Sequence, residues 1–405
     1  MNPSSRPLPE GWRIVRFGDV VRNAKVKVDP ETSGLERYVA GGHMETDNLH
    51  IRNWGTIGDG YLGPAFHRRF VKGQVLYGSR RTYLRKVAVA EFDGVCANTT
   101  FVLEPKGNDL LPEFLPFIMQ TEAFTEHSIK QSTGSTNPYV NWKDLAWYEF
   151  PLPPLEEQRR IANILWAADA IIDKHALVLK KMFSFRQSLL RESFVPSELG
   201  SKGKNFKSMS LSEVLTYASD GPFGSKLKTE HYTNAGARVT RLQNIDDGSF
   251  NDSDKAYISE SYYQELVRYA LHPGDIVVAG LGDENHPVGR ACQIPSHIGK
   301  AINKADCFCL RANDSIVEQE YILHFLNSPY ARLQVRQRAQ GTTRLRINVA
   351  NIKTISVPVQ SQDAQQEICW LFRSFGRTYD KAVATLQATQ VLATSLRERL
   401  LTGDK

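Results

Sequence analysis

Long apolar runs are missing from this sequence. No stretch of its 405 residues approaches the roughly 18 to 20 uninterrupted apolar residues of a membrane span. The first residues, MNPSSRPLPEGW, carry no apolar segment, so no secretory signal is expected. Cysteine is also scarce. Cys96, Cys292, Cys307, Cys309 and Cys369 form an odd, scattered set, which argues against a disulfide framework and for a reducing, cytoplasmic compartment. Neither a G-x-S-x-G nucleophile elbow nor a phosphate-binding P-loop is present.

Net charge is +6 and the isoelectric point about 8.9. That balance is compatible with a polyanionic partner without requiring one. Hydrophobic content of 41% and charged content of 23% are those of an ordinary globular chain. The length suggests two or three domains.

The chain is written twice. Gly134-Ser-Thr-Asn-Pro-Tyr-Val-Asn141 aligns with Gly341-Thr-Thr-Arg-Leu-Arg-Ile-Asn348, 207 positions later. The same offset pairs Phe101 with Phe308, Phe114 with Tyr321, Pro151 with Pro358, Gln158 with Gln365 and Ile161 with Ile368. Upstream the offset falls to 201, as in Arg37 with Arg238 and His43 with Asn244, which loop insertions explain. A shared apolar register over such a length marks an internal repeat.

Each repeat opens with a β-rich part. Lys86–Glu91, Thr100–Glu104 and Asp275–Ala279 are short apolar runs bounded by turn residues. One short helix is expected at Pro112–Phe124, matched at Glu318–Leu333. Each repeat closes with a long helix, from Glu156 to near Val195 and from Asp363 to Leu401. Pro153 and Pro154 disfavour helix before them, and Glu156 and Glu157 suit a first turn. Ile161, Ile164, Leu165, Ala168, Ile171, Ile172, Val178, Met182, Phe185 and Leu189 recur at intervals of three and four.

Forty helical residues span roughly 60 Å, more than a domain of this size can cover. Each helix therefore needs a partner along its length, and the other copy supplies one. The expected fold is α+β: two similar β-rich domains joined by two long antiparallel coiled-coil helices, with pseudo-twofold symmetry. The expected boundaries are residues 1–153, 154–197, 198–360 and 361–405 for domain, helix, domain and helix.

Catalytic chemistry is hard to find. Asn137-Pro138-Tyr139 lacks one proline of the amino-methyltransferase motif. Asp93 with Glu104 and Lys106 loosely fits a nuclease spacing, but the second copy does not repeat it. Cys292, His297, Cys307 and Cys309 are the best metal cluster, yet the two cysteines of Cys307-x-Cys309 fall on a strand and read more simply as small core residues.

Basic and amide-rich runs say more. Arg80, Arg81 and Arg85 lie in Tyr77–Lys86, and His67–Lys72 is a second basic run. Arg238, Arg241 and Gln243 form another set with Asn244. Thr133, Ser135 and Asn137 surround Gly134, and Thr342, Thr343, Arg344 and Arg346 follow Gly341, with Arg332, Arg336 and Arg338 nearby. Arginine reads guanine edges and clamps phosphate, and asparagine and glutamine read adenine. A charge run is usually a solvated face; runs at equivalent places in both copies carry more weight. Arg80, Arg81, Arg85, Thr133, Ser135, Asn137, Arg238, Arg241, Gln243, Thr342, Thr343, Arg344 and Arg346 are the candidate DNA contacts.

Pro151-Leu-Pro-Pro-Leu-Glu-Glu-Gln-Arg-Arg-Ile161 ends a β-rich domain and opens a long helix. It resembles the specificity subunits of type I restriction–modification systems, as do Leu8-Pro-Glu-Gly-Trp-Arg13, Phe17-Gly-Asp-Val20 and Ser395–Gly403. The second copy departs from the pattern, having lost two prolines and a glutamate after Pro358. The resemblance implies two target-recognition domains, each reading half of a bipartite double-stranded DNA site, with the helices as spacer. It implies docking of two methyltransferase subunits, and of restriction subunits through them, and no membrane. No catalysis and no cofactor belong to the chain itself, S-adenosylmethionine being expected on the methyltransferase subunits. A specificity subunit of another restriction class, or a nuclease or methyltransferase with a cryptic site, are the alternatives.

Overall fold

The computed structural model describes residues 8–194 and 206–403. Contacts divide the chain into two units, residues 1–176 with 384–405 and residues 177–383. The expected boundary between residues 197 and 198 lies outside the described residues.

In the first unit, a four-stranded sheet runs in the order Val21–Ala24, Thr100–Pro105, Val75–Gly78, Val87–Val89. A second sheet runs Gly55–Thr56, Arg37–Val39, Gly94–Ala97, Phe66–Phe70. The strand Val75–Gly78 is buried on both faces. Val75 and Tyr77 enter the main core, whereas Leu76 enters a smaller one with Val39, Phe70 and Val102. Strand side chains alternate between faces, so a strand caught between two cores reads as a continuous apolar run.

The second unit repeats this order. Its four-stranded sheet runs Leu215–Ser219, Cys307–Ala312, Ile276–Ala279, Ala291–Gln293. Its second sheet keeps the parallel pair, Ala237–Thr240 beside Ala301–Asn303, just as Arg37–Val39 lies beside Gly94–Ala97. It adds one strand, Tyr232–Thr233, at the edge. Phe308 and Leu310 enter one core while Cys307 and Cys309 enter the other with Cys292. These cysteines are packing residues, and burial pushes their thiols well above the ordinary range.

The expected single helices at 112–124 and 318–333 are each two. Leu115–Met119 gives way to Glu122–Lys130, and Gln319–Leu326 to Pro329–Arg338. Thr121 and Ser328 restart the helix as N-caps, accepting the amides of Phe124 and Ala331 at 3.2 Å. Ser328-Pro329 is the signal that the periodicity concealed.

The long helices run Leu155–Phe194 and Gln362–Thr402, and Gly403 ends the second at φ +74°. In the first unit, Ile161 and Leu165 of one share a core with Leu401 and Leu396 of the other. In the second unit, Leu190 and Phe194 of the first helix join Cys369 and Phe372 of the second. Start meets end in each unit separately, so the pairing is antiparallel. Ile171, Val178 and Phe185 of the expected apolar stripe stay exposed, because a two-helix seam covers a narrower strip than a globular core.

Each helix is pinned to its domain by a buried glutamine. Gln158 accepts the Leu111 amide at 2.9 Å and donates to the carbonyls of Asp109 at 2.7 Å and Pro153 at 2.9 Å. Gln365 accepts the Glu318 amide at 2.9 Å and donates to the carbonyls of Ile316 at 3.2 Å and Gln360 at 2.9 Å.

Candidate nucleic-acid interface

Both units build the same edge from two loops. In the first unit, Thr133 and Tyr139 exchange backbone hydrogen bonds of 2.9 Å around Gly134, whose φ is +97°. The amide of Val140 donates to the Ser79 carbonyl at 2.9 Å, and that of Arg81 to the Pro138 carbonyl at 2.7 Å. The glycine loop is thus clipped to the loop Ser79–Lys86. In the second unit, Gln340 and Arg346 exchange bonds of 2.8 Å around Gly341, at φ +105°, and Ile347 donates to the Gly280 carbonyl at 2.9 Å. Every one of these pairings preserves the repeat register.

On the first edge, Arg80, Arg81, Thr133 and Ser135 are exposed and Asn137 is half-buried. Asn137 accepts from the Arg81 guanidinium at 3.2 Å. Arg85 behaves differently from its neighbours. It donates to Asp47 at 2.7 Å, Glu122 at 2.6 Å and the Gln120 carbonyl at 2.9 Å. Both Arg81 and Arg85 have φ +49°, a conformation that non-glycine residues adopt only under constraint. Arg85 therefore braces the loop from behind instead of projecting from it.

On the second edge, Gln243, Thr342, Thr343 and Arg344 are exposed, and Gln243 and Arg344 line one open cleft with Asp283, His286 and Arg290. Arg346 is exposed but held by Asp306, with 2.8 Å between charged atoms. Arg238 is only 4% exposed. It pairs with Asp252 at 2.7 Å and donates to the Asp254 carbonyl at 2.7 Å. Arg241 pairs with Asp254. Arg238 and Arg241, expected from the sequence to face DNA, spend their guanidinium groups on carboxylates of their own unit. A basic run cannot reveal this, because the acidic residues that claim it lie in another loop. Arg332 is likewise turned inward, donating to Asn327 at 2.7 Å.

Sequence reasoning passed over the loop Gly280–Arg290, which frames the same cleft. Its turn residues Gly280, Gly282, Asp283, Asn285, Pro287 and Gly289 were the available signal. A G-x-G-x-x-G motif was expected to be absent, yet Gly58-Asp-Gly-Tyr-Leu-Gly63 has that spacing. It leads into the strand Phe66–Phe70 and opens no helix, so no helix N-terminus faces it.

The other sequence candidates have structural occupations. Glu104 accepts from Arg22 at 2.7 Å and from Gln74 at 2.6 Å. His297 is exposed while Cys292, Cys307 and Cys309 are buried, so the four do not converge. Among the described residues, no group of three or more His, Cys, Asp and Glu side chains could hold a metal ion. Among the same residues, no helix is long and apolar enough to cross a membrane.

Residues 9–180 match the family model described as the type I restriction modification DNA specificity domain. The type I restriction enzyme MjaVIII specificity subunit of Methanocaldococcus jannaschii is 23% identical over 98% of this chain and 93% of its own length. The EcoDI specificity subunit of Escherichia coli is 29% identical over 46% of this chain and 42% of its own. A chain from a solved type I restriction–modification complex shares the fold, with a TM-score of 0.63 at 18% identity, over 99% of this chain and 100% of its own. The first domain and the start of its helix thus match a type I specificity-domain model, and nearly the whole chain, with its duplicated domains and paired helices, is similar to a type I restriction enzyme specificity subunit.

Proposed function

We propose that this chain reads a bipartite, asymmetric sequence on double-stranded DNA, one half-site per unit. The two long helices set the half-site separation. They also dock two methyltransferase subunits and, through them, restriction subunits. The chain contributes no chemical step of its own, and S-adenosylmethionine belongs to the methyltransferase subunits.

One observation carries this reading. The Thr133–Tyr139 and Gln340–Arg346 loops have the same backbone pairing and display different side chains. A shared scaffold with divergent tips suits two half-sites of unrelated sequence. The edge residues supply the needed chemistry: exposed Arg80 and Arg81 with half-buried Asn137 on one edge, exposed Gln243, Thr342, Thr343 and Arg344 on the other. Guanidinium and amide groups form bidentate pairs with guanine and adenine edges, while hydroxyls and loop amides bind phosphate.

The test is base-resolved mapping of methylated DNA in a strain carrying the complete system, with and without this gene. Methylation at a two-part sequence that disappears with the gene is the expected result. Persistence of the same methylation without the gene overturns the proposal. So does methyl transfer or cleavage by the purified chain alone.

A further inference from the structure

We infer that Arg290 is a positioning residue for sequence reading by the second unit, and that the loop Gly280–Arg290 is the specificity element it holds. The inference rests on the DNA-reading role proposed above and deepens it.

Arg290 is 5% exposed. Its guanidinium donates to five backbone carbonyls: Ile245 at 2.6 Å, Leu242 at 2.9 Å, His286 at 3.0 Å, Leu281 at 3.1 Å and Pro287 at 3.2 Å. No carboxylate of the described residues pairs with it. An arginine buried against carbonyls alone is costly to desolvate, and burial pushes its pKa down. A structural arginine is more economically placed beside an acid, as Arg311 is beside Asp275 at 2.8 Å.

The five carbonyls belong to two loops that have no regular pairing with each other. Leu242 and Ile245 flank exposed Gln243. Leu281, His286 and Pro287 belong to the loop that turns on Asp283, whose carboxylate accepts the His286 amide at 2.8 Å and the Asn285 amide at 3.0 Å. The cleft between the loops is lined by Gln243, Asp283, His286 and Arg344. One rigid fork thus sets the separation of the cleft walls. Its positive charge also lies near Asp246 and Asp283, which line the same cleft.

The first unit solves the same problem differently. The strand register places Lys86 where Arg290 stands: Gly78 donates to the Lys86 carbonyl at 3.0 Å, as Ala279 does to that of Arg290 at 2.8 Å. Lys86 reaches a single carbonyl, that of Gly41, and the shorter loop is braced by Arg85 instead. The Arg290 fork is therefore a property of the second unit and not of the first.

The test uses the full complex with Arg290→Lys, Arg290→Met, His286→Ala or Asp283→Ala. Each is assayed on duplexes in which one or the other half-site is scrambled, and by methylation mapping. Lysine keeps the charge but cannot span five carbonyls. We expect Arg290→Lys to reduce discrimination about tenfold or more at the half-site weakened by Arg344→Ala, each lost base reading being worth that order. Discrimination at the other half-site stays intact. Unchanged discrimination at both half-sites, or equal loss at both, overturns the inference, since a purely structural role lowers active concentration without altering base preference. If Arg290→Met prevents assembly, the exposed-loop variants decide: altered base preference in either supports the inference, and an unchanged target in both refutes it. A wild-type complex that keeps its target preference without this chain would instead sink the DNA-reading role.

Discussion

The side chain of Gln158 accepts the backbone N–H of Leu111 at 2.9 Å, bridging the start of the first long helix to the loop before the first domain's helical pair. Its two amide hydrogens satisfy the Asp109 and Pro153 carbonyls. Gln365 makes the same three bonds, each partner 207 positions later. A neutral amide is the only side-chain group that can accept one bond and donate two here. Replacing Gln158 with Leu strands a buried N–H and two carbonyls, which costs about 2–4 kcal/mol. Gln158→Glu should be no better, since a carboxylate cannot donate to carbonyls. Thermal unfolding of the purified chain checks both, and Gln365→Leu should behave alike.

Gly134 and Gly341 share the left-handed conformation, but their surroundings differ. A Cβ on Gly341 would collide with the Arg344 carbonyl oxygen, whereas on Gly134 its nearest neighbour is at 3.8 Å. Alanine at either position adds about 1–2 kcal/mol of backbone strain. Gly341→Ala adds a clash. DNA affinity measured with each half-site scrambled in turn should fall further for Gly341→Ala, on one half-site, than for Gly134→Ala on the other.

Exposed arginines on the two edges should act independently. Arg80→Ala with Arg81→Ala is expected to weaken one half-site by about 1–3 kcal/mol for each base edge no longer read, and Arg344→Ala with Arg346→Ala the other. Arg238→Ala should instead lower stability, because it leaves Asp252 without its buried partner. Paired measurements of melting temperature and half-site binding separate the two classes.

His50 clasps the first domain to its helix. Its ring nitrogens lie 2.8 Å from Asp169 and 2.7 Å from Glu91, and these carboxylates, Asp169 foremost, hold its pKa up at about 9. A raised pKa contributes stability that is complete below the unfolded value of about 6.5 and lost as pH climbs through 9. Allowing for solvent screening, about 1–2 kcal/mol should disappear between pH 7 and pH 10. Melting temperatures of wild type and His50→Gln should converge across that range.

The helices can be shortened as a pair. Removing Lys174–Leu177 from the first and Ala382–Thr385 from the second takes about 6 Å from their length, or roughly two base pairs. The complex should then recognise a shorter gap between half-sites or fail to assemble. An unaltered gap in an intact complex refutes the helices as spacer.

Much of the architecture was legible. The repeat register that paired Phe101 with Phe308 and Gln158 with Gln365 reappears as matching strands and matching hydrogen bonds. Pro153, Pro154 and the first-turn glutamates placed the helix start within one residue. The exposed arginines were less legible. Arg80 and Arg85 look alike in sequence, yet Arg85 is claimed by Asp47 and Glu122, which are 38 and 37 positions away. Arg238 and Arg241 are claimed by aspartates on a following loop. Arg290 attracted no notice because its partners are carbonyls, which every residue possesses.

By itself the sequence determined the α+β class, the duplication and the long helices, because apolar period, proline and glycine act locally and leave a trace in order along the chain. Only the tertiary structure decided which basic groups are offered outward. That choice depends on which acceptors the fold brings within about 3 Å of each guanidinium, a matter of distance in space that spacing along the chain does not encode.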